Sequence, residues 1–146
     1  EVGSEKYLYK LDWFAHLHPF VQEILGRSGH TVVLGDLNIA PEDRDVHDPA
    51  AWAGAVLVSE PERAEFRKLM AAGLQDCFRL FTQEPGHYSW WDYRAASFRR
   101  NLGLRIDHIL ASEALVAMCR SCRIDQGPRR LEQPSDHAPV AADFDL

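Results

Sequence analysis

Thr31-Val32-Val33-Leu34-Gly35-Asp36-Leu37-Asn38 decides the fold. Its first four residues are β-branched or aliphatic with no polar alternation, the pattern of a strand buried on both faces of a sheet, and the run ends at Gly35-Asp36. Upstream, Tyr7, Leu11, Phe14, Leu17, Val21 and Leu25 recur close to the helical period and Gly26 follows, which predicts an amphipathic helix from Tyr7 to about Leu25. Downstream, a polar loop from Pro41 to Asp48 and a less regular stretch through Trp52 lead to Ser59-Glu60-Pro61-Glu62. That is a capping box with proline in the first turn, opening a helix to about Ala72, where Gly73 ends it. Then the period changes. Tyr88 to Tyr93, Arg105 to Ala111, Met118 to Asp125 and Pro139 to Phe144 are strand-length pieces divided by Gly, Pro, Asn or Ser. The reading is an α/β chain: a helix-covered sheet whose strands pack in a sandwich, with no internal repeat and no low-complexity linker.

A chain of 146 residues with 46% hydrophobic side chains is long enough for a single globular unit with its own core. No apolar run has the length of a bilayer crossing, and the opening EVGSEKYLYK lacks the zones of a signal peptide, so a soluble cytoplasmic protein with no membrane partner is expected. Cys77, Cys119 and Cys122 form no even framework, which suits a reducing compartment. The Cys119-x-x-Cys122 spacing lacks a second ligand pair, so spare or buried thiols are favoured over zinc. A formal charge of −6 argues against a nonspecific nucleic-acid binder. It leaves room for an enzyme whose carboxylates hold metal while Arg94, Arg99, Arg100 and Arg105, or Arg129 and Arg130, cluster elsewhere; a solvated face is the alternative.

Four pieces carry chemistry. Asp36 and Asn38 are two apart in extended backbone and so point to one side, where the acid can polarise a water and the amide can donate to a phosphate oxygen; capping the loop is the competing role. Pro134-Ser135-Asp136-His137-Ala138-Pro139-Val140 sets an acid and an imidazole back to back before a strand, and adjacent extended residues point apart, so His137 should find another carboxylate. Gly103-Leu104-Arg105-Ile106-Asp107 supplies one. Asp107 lies early in an apolar run, where an unpaired charge would be costly, and His137 is its candidate partner; His108 reads as a strand-face histidine. Tyr88-Ser89-Trp90-Trp91-Asp92-Tyr93-Arg94 interleaves aromatics with arginine, suited to stacking on sugars or bases and touching phosphate, or to the core and rim of a sandwich.

Taken in order, G-D-L-N-I-A-P, S-W-W-D-Y-R, G-L-R-I-D and S-D-H-A-P-V resemble the C-terminal half of exonuclease III and related apurinic/apyrimidinic endonucleases, within the endonuclease/exonuclease/phosphatase superfamily. The first and last motifs are shared across that superfamily, inositol-polyphosphate phosphatases and sphingomyelinases included; the middle two favour the DNA-repair branch. The resemblance implies a four-layered α/β sandwich of which residues 1–146 form the C-terminal part. It also implies Mg²⁺-dependent hydrolysis, with Mn²⁺ as the alternative ion, of duplex DNA 5′ to abasic sites and inward from 3′ ends, by a monomer. Carried over by position, Asp36 activates the water, Asn38 contacts the scissile phosphate and Asp107 pairs with the catalytic His137. The metal site is assigned to Asp136 with Asp36, Asn38 and His137, and the substrate contacts to Trp90, Leu104, Ile106 and Arg94. The first three of those contacts would line a small apolar pocket selective for a baseless sugar. The family's main metal-binding glutamate, an asparagine and a tyrosine have no counterpart here. The chain alone is therefore expected to cleave abasic DNA poorly, and activity to appear when an N-terminal half is supplied.

Overall fold

The computed structural model describes residues 1–146. Ser4 caps the first helix by accepting the Tyr7 N–H on Oγ at 3.3 Å. That helix, α1 (Glu5–Arg27), runs one residue past Gly26 and buries Tyr7, Phe14 and Val21. After it come β1 (Val32–Asp36), a 3₁₀ turn over Asp43–Asp45, and α2 (Pro49–Trp52). The Ser59–Glu62 capping box then opens α3 (Glu60–Ala71), and Gly73 follows at φ +115°, a conformation open to glycine. Both long helices stand close to where the sequence places them.

The rest is more broken than expected. β2 (Leu74–Asp76) and α4 (Cys77–Phe81) fill a stretch without a clear period, and the aromatic run contributes only β3 (Trp90–Trp91). β4 (Gly103–Leu104) pairs with β3, while β5 (Asp107–Ser112) starts afresh after a break at Arg105-Ile106. α5 (Glu113–Val116), β6 (Cys119–Ile124) and β7 (Val140–Phe144) complete the chain. All pairings are antiparallel, in the order β1-β5-β2, with β3-β4 and β6-β7 as separate ribbons.

β5 is the central strand, and its two faces feed two cores. Leu110 packs with Phe14, Val21, Phe66 and Leu69 from α1 and α3. Ile109 and Ala111 turn the other way, against Cys77, Cys119 and Cys122 and the apolar side of β6 and β7. β1 departs from the expectation of burial on both faces: Val33 sits on the helix-side core, but Leu34 is 68% and Val32 37% exposed. β7 packs on β5, and β1 is an edge strand of its sheet. The cysteines are free, and burial, reinforced by their neighbours, pushes the Cys77 and Cys122 thiols up to about 12, the inert character of structural thiols. No helix is long and apolar enough to cross a membrane.

Candidate active site

Antiparallel register builds the site. Asp36, last in β1, lies directly opposite Asp107, first in β5, so both carboxylates leave the same face of the ladder as a like-charged cross-strand pair. That placement needs a compensating cation. His137, from the loop before β7, lies against both acids: its Nδ1 meets Asp107 Oδ2 at 2.9 Å, and its Nε2 lies 3.9 Å from Asp36 Oδ2. With Nδ1–H donating to Asp107, Nε2 is left to face Asp36 and the opening. Partial burial raises the Asp36 carboxyl above its ordinary range; the Asn38 N–H opposes this, the Asp107 charge reinforces it, and His137 and Lys10 oppose it.

Asn38 meets Asp36 by a different route from the one expected. Its backbone is left-handed, at φ +53°, so the pair forms a turn rather than one side of a continuing strand. The Asn38 backbone N–H donates to Asp36 Oδ1 at 2.8 Å and its side-chain Nδ2 to Oδ2 at 3.1 Å. The cap and the site are the same residues. Lys10 on α1 holds the turn from behind, donating through Nζ to the Asn38 carbonyl and to Glu62 Oε1. The capping-box glutamate of α3 thereby anchors the lysine that props Asn38. Ser89 does the same for the second acid, its Oγ accepting the N–H groups of Ile106 and Asp107, each at 3.0 Å. Neither Lys10 nor Ser89 carries a local sequence signal for this role, since both act across long chain separations.

Other expected residues fall elsewhere. Asp136 stands apart from the Asp36–Asp107–His137 cluster, and its Oδ2 accepts the Trp90 indole N–H at 2.9 Å. Leu104 and Ile106 are 0% and 2% exposed, packed with Ala40, Val46 and Val58. Above them an open cleft of about 230 Å³ is bordered by His47, Trp52, Trp90, Arg94 and Leu102. Trp90 therefore reaches a cleft, as does Arg94, whose guanidinium is engaged by Asp92 at 2.6 Å. A larger cleft of about 670 Å³ opens on the other side of Asp36 and Asn38, between α1 and the Val56-Leu57 segment.

Arg105, counted among the surface arginines by sequence, is 1% exposed. Its Nε donates to Asp45 Oδ1 and its Nη2 to Asp76 Oδ2, both at 2.7 Å, and its Nη1 lies 3.2 Å from His108 Nδ1. Arg79 also donates to Asp45 Oδ1. His108 passes the network on through Nε2, which donates to the Ile39 carbonyl at 2.8 Å, just beyond the Asp36–Asn38 turn. Burial, with the adjacent Arg105 charge, pushes the His108 pKa down to about 4, so it is neutral in its bonds.

Set against known proteins, residues 1–137 match the model of the endonuclease/exonuclease/phosphatase family. The chain belongs to that family. It is 36% identical to exodeoxyribonuclease III of Haemophilus influenzae over 146 aligned residues, 95% of this chain and 55% of the relative. Among solved structures it is similar to a 3′ phosphatase, NExo, from Neisseria bound to a product DNA hairpin, at 48% identity and a TM-score of 0.97, covering 99% of this chain and 56% of that one. An AP endonuclease from Archaeoglobus fulgidus gives 38% identity and a TM-score of 0.94, over 100% of this chain and 57% of that one. The chain therefore has the α/β fold of these enzymes and spans a little over half the length of the relatives it matches.

Proposed function

We propose that residues 1–146 form the C-terminal part of one catalytic domain, in a DNA-repair nuclease that hydrolyses duplex DNA 5′ to abasic sites and inward from 3′ ends. The observation that carries this reading is the convergence of Asp36, Asp107 and His137, whose ligand atoms lie within 4.8 Å of one another at the strand ends. Two acids and an imidazole at that spacing suit phosphoryl chemistry, and relatives named exodeoxyribonuclease III and AP endonuclease point to DNA as the substrate.

The residues divide the work. Asp36, raised by burial and unpaired by any guanidinium, takes the proton of an attacking water. His137, held through Nδ1 by Asp107, donates to a phosphate oxygen from Nε2 when it carries a proton there. Asn38 keeps the Asp36 carboxylate oriented and offers its amide when phosphate displaces that contact. The carboxylates of Asp36 and Asp107 fit a divalent cation, because hard oxygen donors suit Mg²⁺ or Mn²⁺ and the pair is short of positive charge. Such an ion supplies neutralisation of charge developing on the phosphate. Asp136 belongs to this reading as a further acid at the rim, with one oxygen engaged by Trp90. Trp90, with Arg94 beside it, forms the wall against which a monomer of the enzyme would seat the DNA.

The test is cleavage of a duplex bearing one abasic site, with Mg²⁺ and an EDTA control. The chain alone is expected to turn over poorly, and joined to the N-terminal part of a relative it should cleave. The likeness to a 3′ phosphatase adds a second substrate to the panel, a duplex with a 3′-phosphate end. Turnover of a phosphoinositide without cleavage of either DNA would contradict the proposal.

A further inference from the structure

Arg129 is a buried cation with no acid beside it. It sits in a 3₁₀ turn over Pro128–Arg130, is 6% exposed, and has no carboxylate within 4.0 Å, in contrast to Arg79 and Arg105. Three aromatic rings enclose it instead: the guanidinium carbon is 4.8 Å from the centroid of Phe98, 5.7 Å from Tyr93 and 5.8 Å from Trp91. Cation–π contact offsets part of the cost of taking the charge out of water, but its Nε remains buried without a partner. For packing alone, an apolar side chain of similar length would fill this cage without that cost. What such a side chain lacks is a donor. Arg129 Nη1 donates to the carbonyl of Ser135, two residues before His137.

The cage and the His137 loop are tied by the same residues. The Tyr93 hydroxyl donates to the Pro134 carbonyl at 2.9 Å, and the Trp91 N–H to the Asp136 carbonyl at 3.0 Å. The Trp90 indole holds the Asp136 side chain, and the Ala138 N–H donates to the Ser89 carbonyl at 2.7 Å. Consecutive carbonyls from Pro134 to Asp136 are thus each held, the Ser135 carbonyl by Arg129, while the Ser135 Oγ accepts the His137 N–H at 3.1 Å. The site's geometry needs His137 within reach of both Asp107 and Asp36, and the loop carrying it has no strand pairing of its own before β7 beyond a single bridge to Trp90.

We infer that Arg129 is a positioning residue for His137: caged by Trp91, Tyr93 and Phe98, it fixes the Ser135 carbonyl and so the approach of the imidazole to the two acids. The consequence for phosphate chemistry rests on the function proposed above; the clamp itself does not.

Amide hydrogen exchange on the 146-residue chain tests it without any turnover. Arg129→Met keeps the cage filled and removes the donor. Exchange of the Trp91 and Ala138 amides should rise on the order of tenfold, while Ile109 and Leu110 in β5 keep their protection, because the loop opens as a local unit. Arg129→Lys should restore part of that protection. Loop amides unchanged from the parent, or protection lost equally in β5, would overturn the assignment and leave Arg129 a core residue. Should Arg129→Met fail to fold, Arg129→Lys decides alone: selective loosening of the loop supports the clamp, and uniform loosening or none overturns it. A chain that passes this test yet shows no cleavage in any reconstituted enzyme would refute the functional reading only.

Discussion

Two clusters of charge lie on either end of Arg105-Ile106-Asp107, and they are built on opposite principles. In one, Asp45 and Asp76 meet Arg79 and Arg105, two acids against two guanidiniums, all four with little or no exposure. In the other, His137 is the one basic side chain within 4.0 Å of Asp36 and Asp107, and the group opens to solvent. The carboxyls respond accordingly. Burial alone would raise Asp45, but Arg105 and Arg79 overcome it and hold the carboxyl below its ordinary range, whereas Asp36 ends above that range. Buried charge that is fully matched fixes the backbone between the 3₁₀ turn, β2, α4 and β5; charge left unmatched at the strand ends is available to a proton, a cation or a phosphate. The lesson is that the sign and number of partners, more than the presence of acids, separate scaffold from site.

The sharpest way to break this contrast is to remove a partner from the matched cluster. Asp45→Ala leaves Arg79 without an acid and Arg105 with Asp76 alone in the interior, and should lower unfolding free energy by about 3–5 kcal/mol in urea denaturation, enough to unfold a marginal domain. A loss within the range of ordinary surface changes would show that the network is not the scaffold. Acid offers a gentler version of the same test. Because the Asp45 carboxyl is lowered on folding, its contribution is present above the unfolded value near 3.8 and is lost as pH falls through the lower folded value. Stability should therefore drop in that acidic window, and Asp45→Asn should flatten that part of the profile. The unmatched cluster should respond to cation instead. At ten times its dissociation constant, Mg²⁺ should raise unfolding free energy by about 1.4 kcal/mol in the parent chain, and by much less in Asp107→Asn. Equal stabilisation of both would place the ion elsewhere. The smallest expected change is at Arg94: its pairing with Asp92 is exposed and screened by solvent, so Arg94→Ala should leave the urea unfolding midpoint indistinguishable from that of the parent.

The pairing of His137 with Asp107 was legible because adjacent residues in extended backbone diverge, so Asp136 could not serve the imidazole, and the structure puts Nδ1 on Asp107. The Ser59–Glu62 capping box was legible because it is local. Arg105 was not: nothing in its neighbours distinguishes a surface arginine from one matched by Asp45 and Asp76 far along the chain. The packing of Leu104 and Ile106 with Ala40, Val46 and Val58 was not legible either, because it joins segments far apart in the chain. The apolar run Thr31–Leu34 suggested burial on both faces, but burial depends on what lies opposite, and at the edge of the sheet Val32 and Leu34 stay exposed. Lys10, Ser89 and Arg129 were invisible as positioning groups because each acts on a backbone atom through a contact between distant segments.

The central claim is that Asp36, Asp107 and His137 perform the chemistry while contributing little to the fold. It is tested most directly by single-turnover cleavage of an abasic duplex by the completed enzyme carrying Asp36→Asn or His137→Ala, with urea denaturation run alongside. The account predicts a rate loss on the order of 10²- to 10⁴-fold for either variant, with the unfolding midpoint close to that of the parent. Near-parental rates in either variant would contradict it and remove that residue from the mechanism.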